Sequence, residues 1–312
     1  PDGERIFTWS QIYDLQEVPE HLIVVGSGVT GAEFASAYTA LGVPVTLVSS
    51  RHQVLPGHDD DAARVIQQVF ENSGMTVLNG ARAAGAERHG DEVVVRLGDG
   101  TTVSGSHCLM AVGAIPNTAH IGLEEAGVRL TASGHIEVDR VSRTSARGVY
   151  AAGDCTPVFA LASVAAMQGR IAMWHSLGDS VAPLDLRTVS ANVFTAPEIA
   201  TVGCSQTDID TGVVRGLTMM LPLRGNARAK MQALHDGFVK IFCLPTTGII
   251  VGAVVVAPAA SELIHPLSVA VRNKLTVDQL AESFTVYPSL SGSLAEAARR
   301  LHGHSSDQVI TY

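Results

Sequence analysis

The hydrophobic pattern of this chain switches repeatedly between short apolar runs and helix-period stretches. His21–Gly26 is an apolar run ending in glycine, as expected of a buried parallel strand. Thr30–Leu41 reads as an Ala-rich helix with Phe34 and Tyr38 at i, i+4, and Gly42 stops it. Val43–Val48 is a second strand, so the opening is a strand–turn–helix–strand unit. A helix over Asp59–Gly74 begins with acidic residues that suit its dipole. Met75–Leu78 is a third strand, and Val93–Leu97 with Thr101–Val103 form a hairpin around Gly98-Asp99-Gly100. His107–Val112 is another apolar run. Residues 1–20 read as a linker with one amphipathic turn.

Residues 113–149 are loop-rich, with a short strand predicted at Ile136–Asp139. Gly148–Asp154 reads as a strand entering a glycine turn, and Leu161–Leu177 as a helix. Pro183 marks a boundary. Beyond it come alternating strand patterns, chiefly Gly237–Cys243 and Gly248–Val256, then helices at Ser261–Asn273, Val277–Ser283 and Ser291–Leu301. Strands followed by helices predict an α+β domain.

Composition narrows the function. The 312 residues are 46% apolar and 16% charged, which builds cores and is not disordered. A net charge of −9 opposes nucleic-acid binding as the main role. No apolar stretch reaches the length of a membrane span, and no secretory h-region is present. Cys108, Cys155, Cys204 and Cys243 are far apart without C-x-x-C spacing, so no zinc site is predicted and a reducing, cytoplasmic setting is expected. His302 and His304 fall in a polar tail and are expected to be solvated. No metal is expected.

Gly26-Ser27-Gly28-Val29-Thr30-Gly31 fits G-x-G-x-x-G between a buried strand and a helix, the context that gives the pattern meaning. Gly26 permits the tight turn, Gly28 close approach of a pyrophosphate, and Gly31 helix–strand packing. The helix start offers free N–H groups to phosphate. After the second strand, where an NAD site places a carboxylate on the ribose 2′-OH, the chain has Ser49-Ser50-Arg51-His52. Two hydroxyls and a guanidinium could bind a 2′-phosphate, which favours NADPH over NADH; the alternative is a solvated Arg51.

With these residues in place the chain resembles the flavoprotein disulfide reductases. The match runs through Val24–Glu33, with Glu33 in the G-x-G-x-x-G-x-E position, and through Ala111-Val112-Gly113-Ala114-Ile115-Pro116-Asn117. It continues in Val149-Tyr150-Ala151-Ala152-Gly153-Asp154, Asn226-Ala227-Arg228-Ala229 and Pro288-Ser289-Leu290-Ser291. The resemblance implies an α/β fold: a Rossmann-like NAD(P)-binding domain (16–115), a return segment of an FAD-binding domain (116–182) and an α+β dimerisation domain (183–303). Residues 1–15 would be a linker or the end of the FAD domain, and 304–312 a tail. In the family a first flavin G-x-G-x-x-G and a redox C-x-x-x-x-C precede the matching stretch, and neither motif is found from Pro1 onward, so the chain resembles the C-terminal two-thirds of such a protein.

Carried over by position, Gly26, Gly28, Val29, Thr30, Gly31, Glu33, Ser49, Ser50, Arg51 and Gly113 would face NAD(P), with Glu33 near the nicotinamide ribose. Gly153, Asp154, Leu161 and Ala162 would face FAD: Asp154 on the ribitol and the helix start by the isoalloxazine. A homodimer is implied. One stretch departs from the family. Where disulfide reductases carry His-Pro-x-x-x-Glu, this chain has Tyr287-Pro288-Ser289-Leu290-Ser291-Gly292. A phenol with an ordinary pKa near 10 cannot replace an imidazole at neutral pH. His265-Pro266 is read as core or interface rather than a replacement, and the basic Arg224–Lys230 loop as solvated. The missing pair argues against disulfide reduction, and the chain most resembles the branch of NAD(P)H:quinone reductases that are similar to lipoamide dehydrogenase; that resemblance implies FAD-dependent reduction of a quinone by NADPH or NADH. An active disulfide reductase of lipoamide dehydrogenase type, or a non-catalytic NAD(P)-binding and dimerisation module, are the alternatives.

Overall fold

The computed structural model describes residues 1–302. Of these, 1–113 and 190–302 form one compact unit, and 114–189 a second.

The first unit begins with β1 (Ile6–Thr8), β2 (Leu22–Val25), α1 (Val29–Ala40), β3 (Val45–Val48), α2 (Asp60–Asn72) and β4 (Thr76–Leu78). A meander of β5 (Ala83–His89), β6 (Glu92–Leu97) and β7 (Thr102–Gly105) leads into β8 (His107–Met110). The parallel sheet has the order β1-β8-β2-β3-β4, and the meander is a separate antiparallel sheet. β2 and β3 are buried along their whole length because both faces of the sheet are covered. Ile23, Val25, Val48 and Cys108 pack on Val93, Val95 and Leu97 of the meander. Leu22, Val24, Leu47 and Leu109 pack on α1 and α2. Residues 1–20 are not merely a linker: Ile6–Thr8 pairs in parallel with Cys108–Met110, because β8 would otherwise leave an open edge. β5 lacks a strand-like apolar pattern and forms because β6 supplies its ladder.

In the second unit, α3 (Ala162–Ser176) is the regular element, with a 3₁₀ turn at Leu186–Thr188. The strands expected at 136–139 and 148–153 do not form. Each region makes a single bridge, Leu130 with Ile136 and Arg143 with Tyr150. A strand needs a neighbour's ladder for its backbone groups, and neither segment has one among the described residues.

The first unit resumes with β9 (Ser190–Val193), β10 (Glu198–Gly203), α4 (Gln206–Asp210), β11 (Leu217–Pro222) and α5 (Ala227–Met231). β12 (Phe238–Cys243), β13 (Ile250–Ala257), α6 (Ala260–Asn273), α7 (Val277–Glu282) and α8 (Gly292–Leu301) complete it. The antiparallel sheet has the order β11-β12-β13-β10-β9. β12 was expected to alternate, yet all six of its residues are buried. Val239, Ile241 and Cys243 face α6 and α8, while Phe238 and Phe242 join the core shared with α1 and α2. That shared core explains why the dinucleotide-type and C-terminal parts pack as one unit.

Candidate functional site

The candidate site lies at the C-terminal edge of the parallel sheet. From β2 the chain moves outward to β3 and β4, then returns on the other side of β2 as β8. This reversal of strand order falls at the C-terminal ends of β2 and β8, the place where open α/β sheets take ligands. Gly26 and Ala111 follow the two strands there, and the Ala111 N–H donates to the Val25 carbonyl at 2.8 Å.

The three glycines of the turn do different work. Gly26 has φ +109°, and a Cβ there would lie 2.2 Å from the Ala111 carbonyl oxygen. A Cβ on Gly31 would lie 1.8 Å from the Gly26 carbonyl oxygen. These two are required by chain packing. Gly28 has ordinary backbone angles as N-cap of α1, and a Cβ there would meet nothing within 4 Å. The space above it is open, and no side chain caps α1, so the N–H groups that Val29, Thr30 and Gly31 carry in the first turn are available to an anion. α2, by contrast, is capped by the Asp59 carboxylate, which accepts from the Asp61 and Ala62 N–H groups. The residues present fit a pyrophosphate. Gly113, at φ +123° with open space around it, follows β8 on the same edge.

Ser49, Ser50 and Arg51 separate into two roles. Ser49 is fully buried, its hydroxyl 2.7 Å from that of Ser27, and it also accepts from the Arg51 N–H. It was expected to help hold a 2′-phosphate; instead its hydroxyl ties the glycine turn to the loop after β3. Ser50 and Arg51 are exposed and free to face a ligand. Glu33 is half-buried on α1, and its Oε1 accepts from the Phe194 N–H at 2.8 Å. Ser36 accepts similarly from Ala196 at 3.1 Å. The segment between β9 and β10 is thus strapped to α1 beside the turn. Nothing in the local sequence announces this bond.

In the second unit Gly153 has φ +87° and donates its N–H to Gln168 Oε1 at 2.8 Å. The Thr156 hydroxyl donates to the Gly153 carbonyl at 2.8 Å, and Gln168 is buried on α3. Gln168 and Thr156, missed in the sequence, set the turn and leave Asp154 exposed next to it. Leu161 is the N-cap of α3 and Ala162 its first residue, with no side-chain cap. Turn, carboxylate and uncapped helix start fit a polyol and an anionic ring edge.

Tyr287 is 85% exposed. The stretch after it is braced by Asn226, whose amide donates to the Ser289 carbonyl at 2.9 Å and to the Ser293 hydroxyl at 2.8 Å. Gly292 opens α8 and has no group to orient a base. His265 was read as core or interface; it is exposed on α6 and so is not a core residue. Arg224, Arg228 and Lys230 are exposed, as the solvated reading expected, but the stretch is not a loop: a 3₁₀ turn at Leu223–Gly225 leads into α5, capped by the Asn226 side chain. His304 lies outside the described residues, and His302 ion-pairs with Asp278.

Burial pushes the Cys108 thiol up to about 12. Burial, reinforced by a nearby carboxylate, pushes Cys204 and Cys243 up to about 11, so these three are poor thiolates. Among the described residues no group of three or more His, Cys, Asp or Glu could hold a metal ion. No helix among them is long and apolar enough to cross a membrane.

Comparison with known proteins decides the family. The pyridine nucleotide-disulphide oxidoreductase profile matches residues 2–169, and the dimerisation domain of the same group matches 189–298. The chain belongs to the pyridine nucleotide-disulphide oxidoreductases. An NAD(P)H dehydrogenase (quinone) of Mycobacterium tuberculosis is 60% identical over 304 residues, 97% of this chain and 62% of that protein. A dihydrolipoyl dehydrogenase of Geobacillus stearothermophilus is 32% identical over 95% of this chain and 63% of its own length. The chain thus spans a little under two thirds of these relatives. The crystal structure of LpdA from Mycobacterium tuberculosis superposes with a TM-score of 0.92 at 60% identity, over 96% of this chain and 66% of that one. The HOCl-induced flavoprotein disulfide reductase RclA of Escherichia coli gives 0.88 at 25% identity, over 95% and 68%. These matches bear out the resemblance to the family and the α/β fold class.

Proposed function

We propose that the whole protein is an FAD-dependent oxidoreductase that takes hydride from NADPH, or less readily NADH, and delivers two electrons to a quinone. The observation that carries this is Tyr287-Pro288-Ser289-Leu290-Ser291-Gly292, with no imidazole and no carboxylate where the acid–base pair of disulfide reduction belongs. Hydride transfer to flavin and electron transfer to a quinone need no such pair. The name of the 60% identical relative supports the same acceptor class.

In this reading Gly26, Gly28 and Gly31, with the N–H groups of Val29 and Thr30, hold the pyrophosphate, and Gly113 borders it. Ser50 and Arg51 meet the 2′-phosphate, with Ser49 fixing their loop. Glu33, steadied by the Phe194 amide, orients the nicotinamide ribose. Gly153, Asp154, Leu161 and Ala162 hold FAD, which when bound supplies the two-electron relay between nicotinamide and acceptor. Tyr287 offers a flat face on which a quinone ring can stack, across the interface of a homodimer. The parts divide at 16–115, 116–182 and 183–303, and the protein works in the cytoplasm.

The test is made on the full-length protein: visible flavin absorbance, then NADPH oxidation with a soluble quinone or with lipoamide. Flavin with quinone turnover and little lipoamide turnover supports the proposal. Brisk lipoamide turnover favours a disulfide reductase, and absence of flavin favours a non-catalytic module.

A further inference from the structure

We propose that Lys240, a residue of the antiparallel sheet, is a positioning residue for coenzyme selection: it clamps the far end of the loop that presents Arg51. The inference rests on the assignment of that loop to the coenzyme 2′-position.

Lys240 lies mid-strand in Phe238-Val239-Lys240-Ile241-Phe242-Cys243, and its side chain is 2% exposed. Its Nζ donates to Asp59 Oδ1 at 2.9 Å and Oδ2 at 2.8 Å, and to Asp61 Oδ2 at 2.6 Å. The Asp59 side chain is 3% exposed. The same Asp59 carboxylate caps α2, accepting from Asp61 and Ala62 at 3.1 Å. One carboxylate therefore joins the start of α2 to a strand of the other sheet.

Residues 49–59 connect β3 to α2 without regular structure beyond turns and bends. At their near end Ser49 is buried against Ser27, and the Arg51 carbonyl accepts from the Gly80 N–H at 2.8 Å. In the middle Leu55 is fully buried at φ +52°, with its N–H donating to the Ser27 carbonyl at 2.7 Å. A leucine persists in that left-handed region only where its surroundings over-determine it. Asp59 is the anchor at the far end. The loop is thus held at both ends and pulled against the glycine turn in the middle.

Stability alone does not account for the lysine. A buried ion pair is commonly no more stabilising than apolar residues of the same volume, and Phe238 and Phe242 already make this face apolar. What Lys240 supplies, and an apolar residue would not, is a directed hold on both oxygens of Asp59. Loss of that hold lets the loop and its Arg51 drift relative to the pyrophosphate turn.

The experiment compares full-length wild type with Lys240→Met, Lys240→Arg and Asp59→Asn. Calorimetry measures binding of 2′-phospho-ADP-ribose and of ADP-ribose, which read the loop without hydride transfer. Lys240→Met is expected to lower the preference for the 2′-phosphorylated ligand by about tenfold, the scale of weakening one charge-assisted contact to phosphate. It is expected to raise KM for NADPH with kcat little changed. Lys240→Arg restores most of the preference. Wild-type preference in Lys240→Met, with only the melting temperature lowered, overturns the proposal. If Lys240→Met does not fold, Asp59→Asn serves, since asparagine still caps a helix but holds the ammonium less strongly. An unchanged preference in folded Asp59→Asn also overturns it. A wild-type protein that binds neither ligand, or an Arg51→Glu variant with unaltered preference, defeats the underlying loop assignment instead.

Discussion

Alanine at Gly28 and alanine at Gly31 should separate ligand approach from chain packing within one turn. At Gly31 the new Cβ would stand 1.8 Å from the Gly26 carbonyl oxygen and 2.9 Å from its carbon. Both are backbone atoms, so no side chain can swing away, and α1 must part from the turn. Overpacking of this kind costs about 1–3 kcal/mol, and contact with backbone places it near the upper figure. At roughly 2–4 °C per kcal/mol for a domain of this size, melting should fall by about 6–12 °C. At Gly28 there is nothing within 4 Å and φ is −70°, so alanine meets no strain. The remaining cost is the poorer helix N-cap, about 1 kcal/mol or less. On the proposed reading a methyl group in that open space nevertheless stands where the pyrophosphate passes. NADPH affinity should drop by about ten- to a hundredfold, or about 1.4–2.8 kcal/mol. The assay is a thermal melt without ligand and a calorimetric titration with NADPH, both on the full-length protein. Wild-type NADPH affinity in Gly28→Ala would refute the passage of phosphate over this glycine. Wild-type melting in Gly31→Ala would refute the packing geometry.

Three further outcomes are expected. Arg51→Glu should weaken NADPH binding by about tenfold or more while leaving NADH nearly unchanged, since one charged contact to phosphate is worth about 1.5–3 kcal/mol; equal losses in Kd would show that Arg51 does not meet the 2′-phosphate. Tyr287→His alone should bring no lipoamide turnover, because Gly292 leaves the imidazole unoriented; Tyr287→His with Gly292→Glu should raise it, and there is room, since a Cβ at Gly292 meets nothing closer than 3.7 Å. The stability gap between wild type and Lys240→Met should be constant above the ordinary carboxylate value of 3.8 and narrow as pH falls below it. Burial disfavours the Asp61 charge, but hydrogen bonds and charge from Lys240, then Arg64, hold its pKa below that value. A depressed carboxylate contributes stability above the unfolded value and loses it on acidification through the folded one. Urea midpoints across the acid range check this, and a gap that widens with acid would contradict it.

The local chemistry was legible. An apolar run, three spaced glycines and a helix-period stretch define a dinucleotide-type turn because each requirement acts over a few residues. The acidic start of α2 was equally plain, since a carboxylate caps the helix it precedes. Ile6–Thr8 and Ala83–His89 were hidden, because their strand character comes from partners elsewhere in the chain. The opposite error occurred at 136–139 and 148–153, whose patterns are strand-like but whose described neighbours offer single bridges. Lys240 illustrates the limit most directly: a lysine inside an apolar run signals something paired, yet its partners lie 181 and 179 residues away.

By itself, then, the sequence determined the strand–turn–helix that can take a pyrophosphate, the Gly153-Asp154 turn, and the absence of an imidazole and carboxylate at 287–292. Backbone conformation and side-chain type are local properties, readable residue by residue. Only the tertiary structure decided that the Ser49 hydroxyl is buried against that of Ser27, that Glu33 accepts from the Phe194 amide, and that Lys240 ties the antiparallel sheet to the start of α2. Those depend on which groups distant in the chain the fold brings together, and where such groups are buried most polar atoms find a partner.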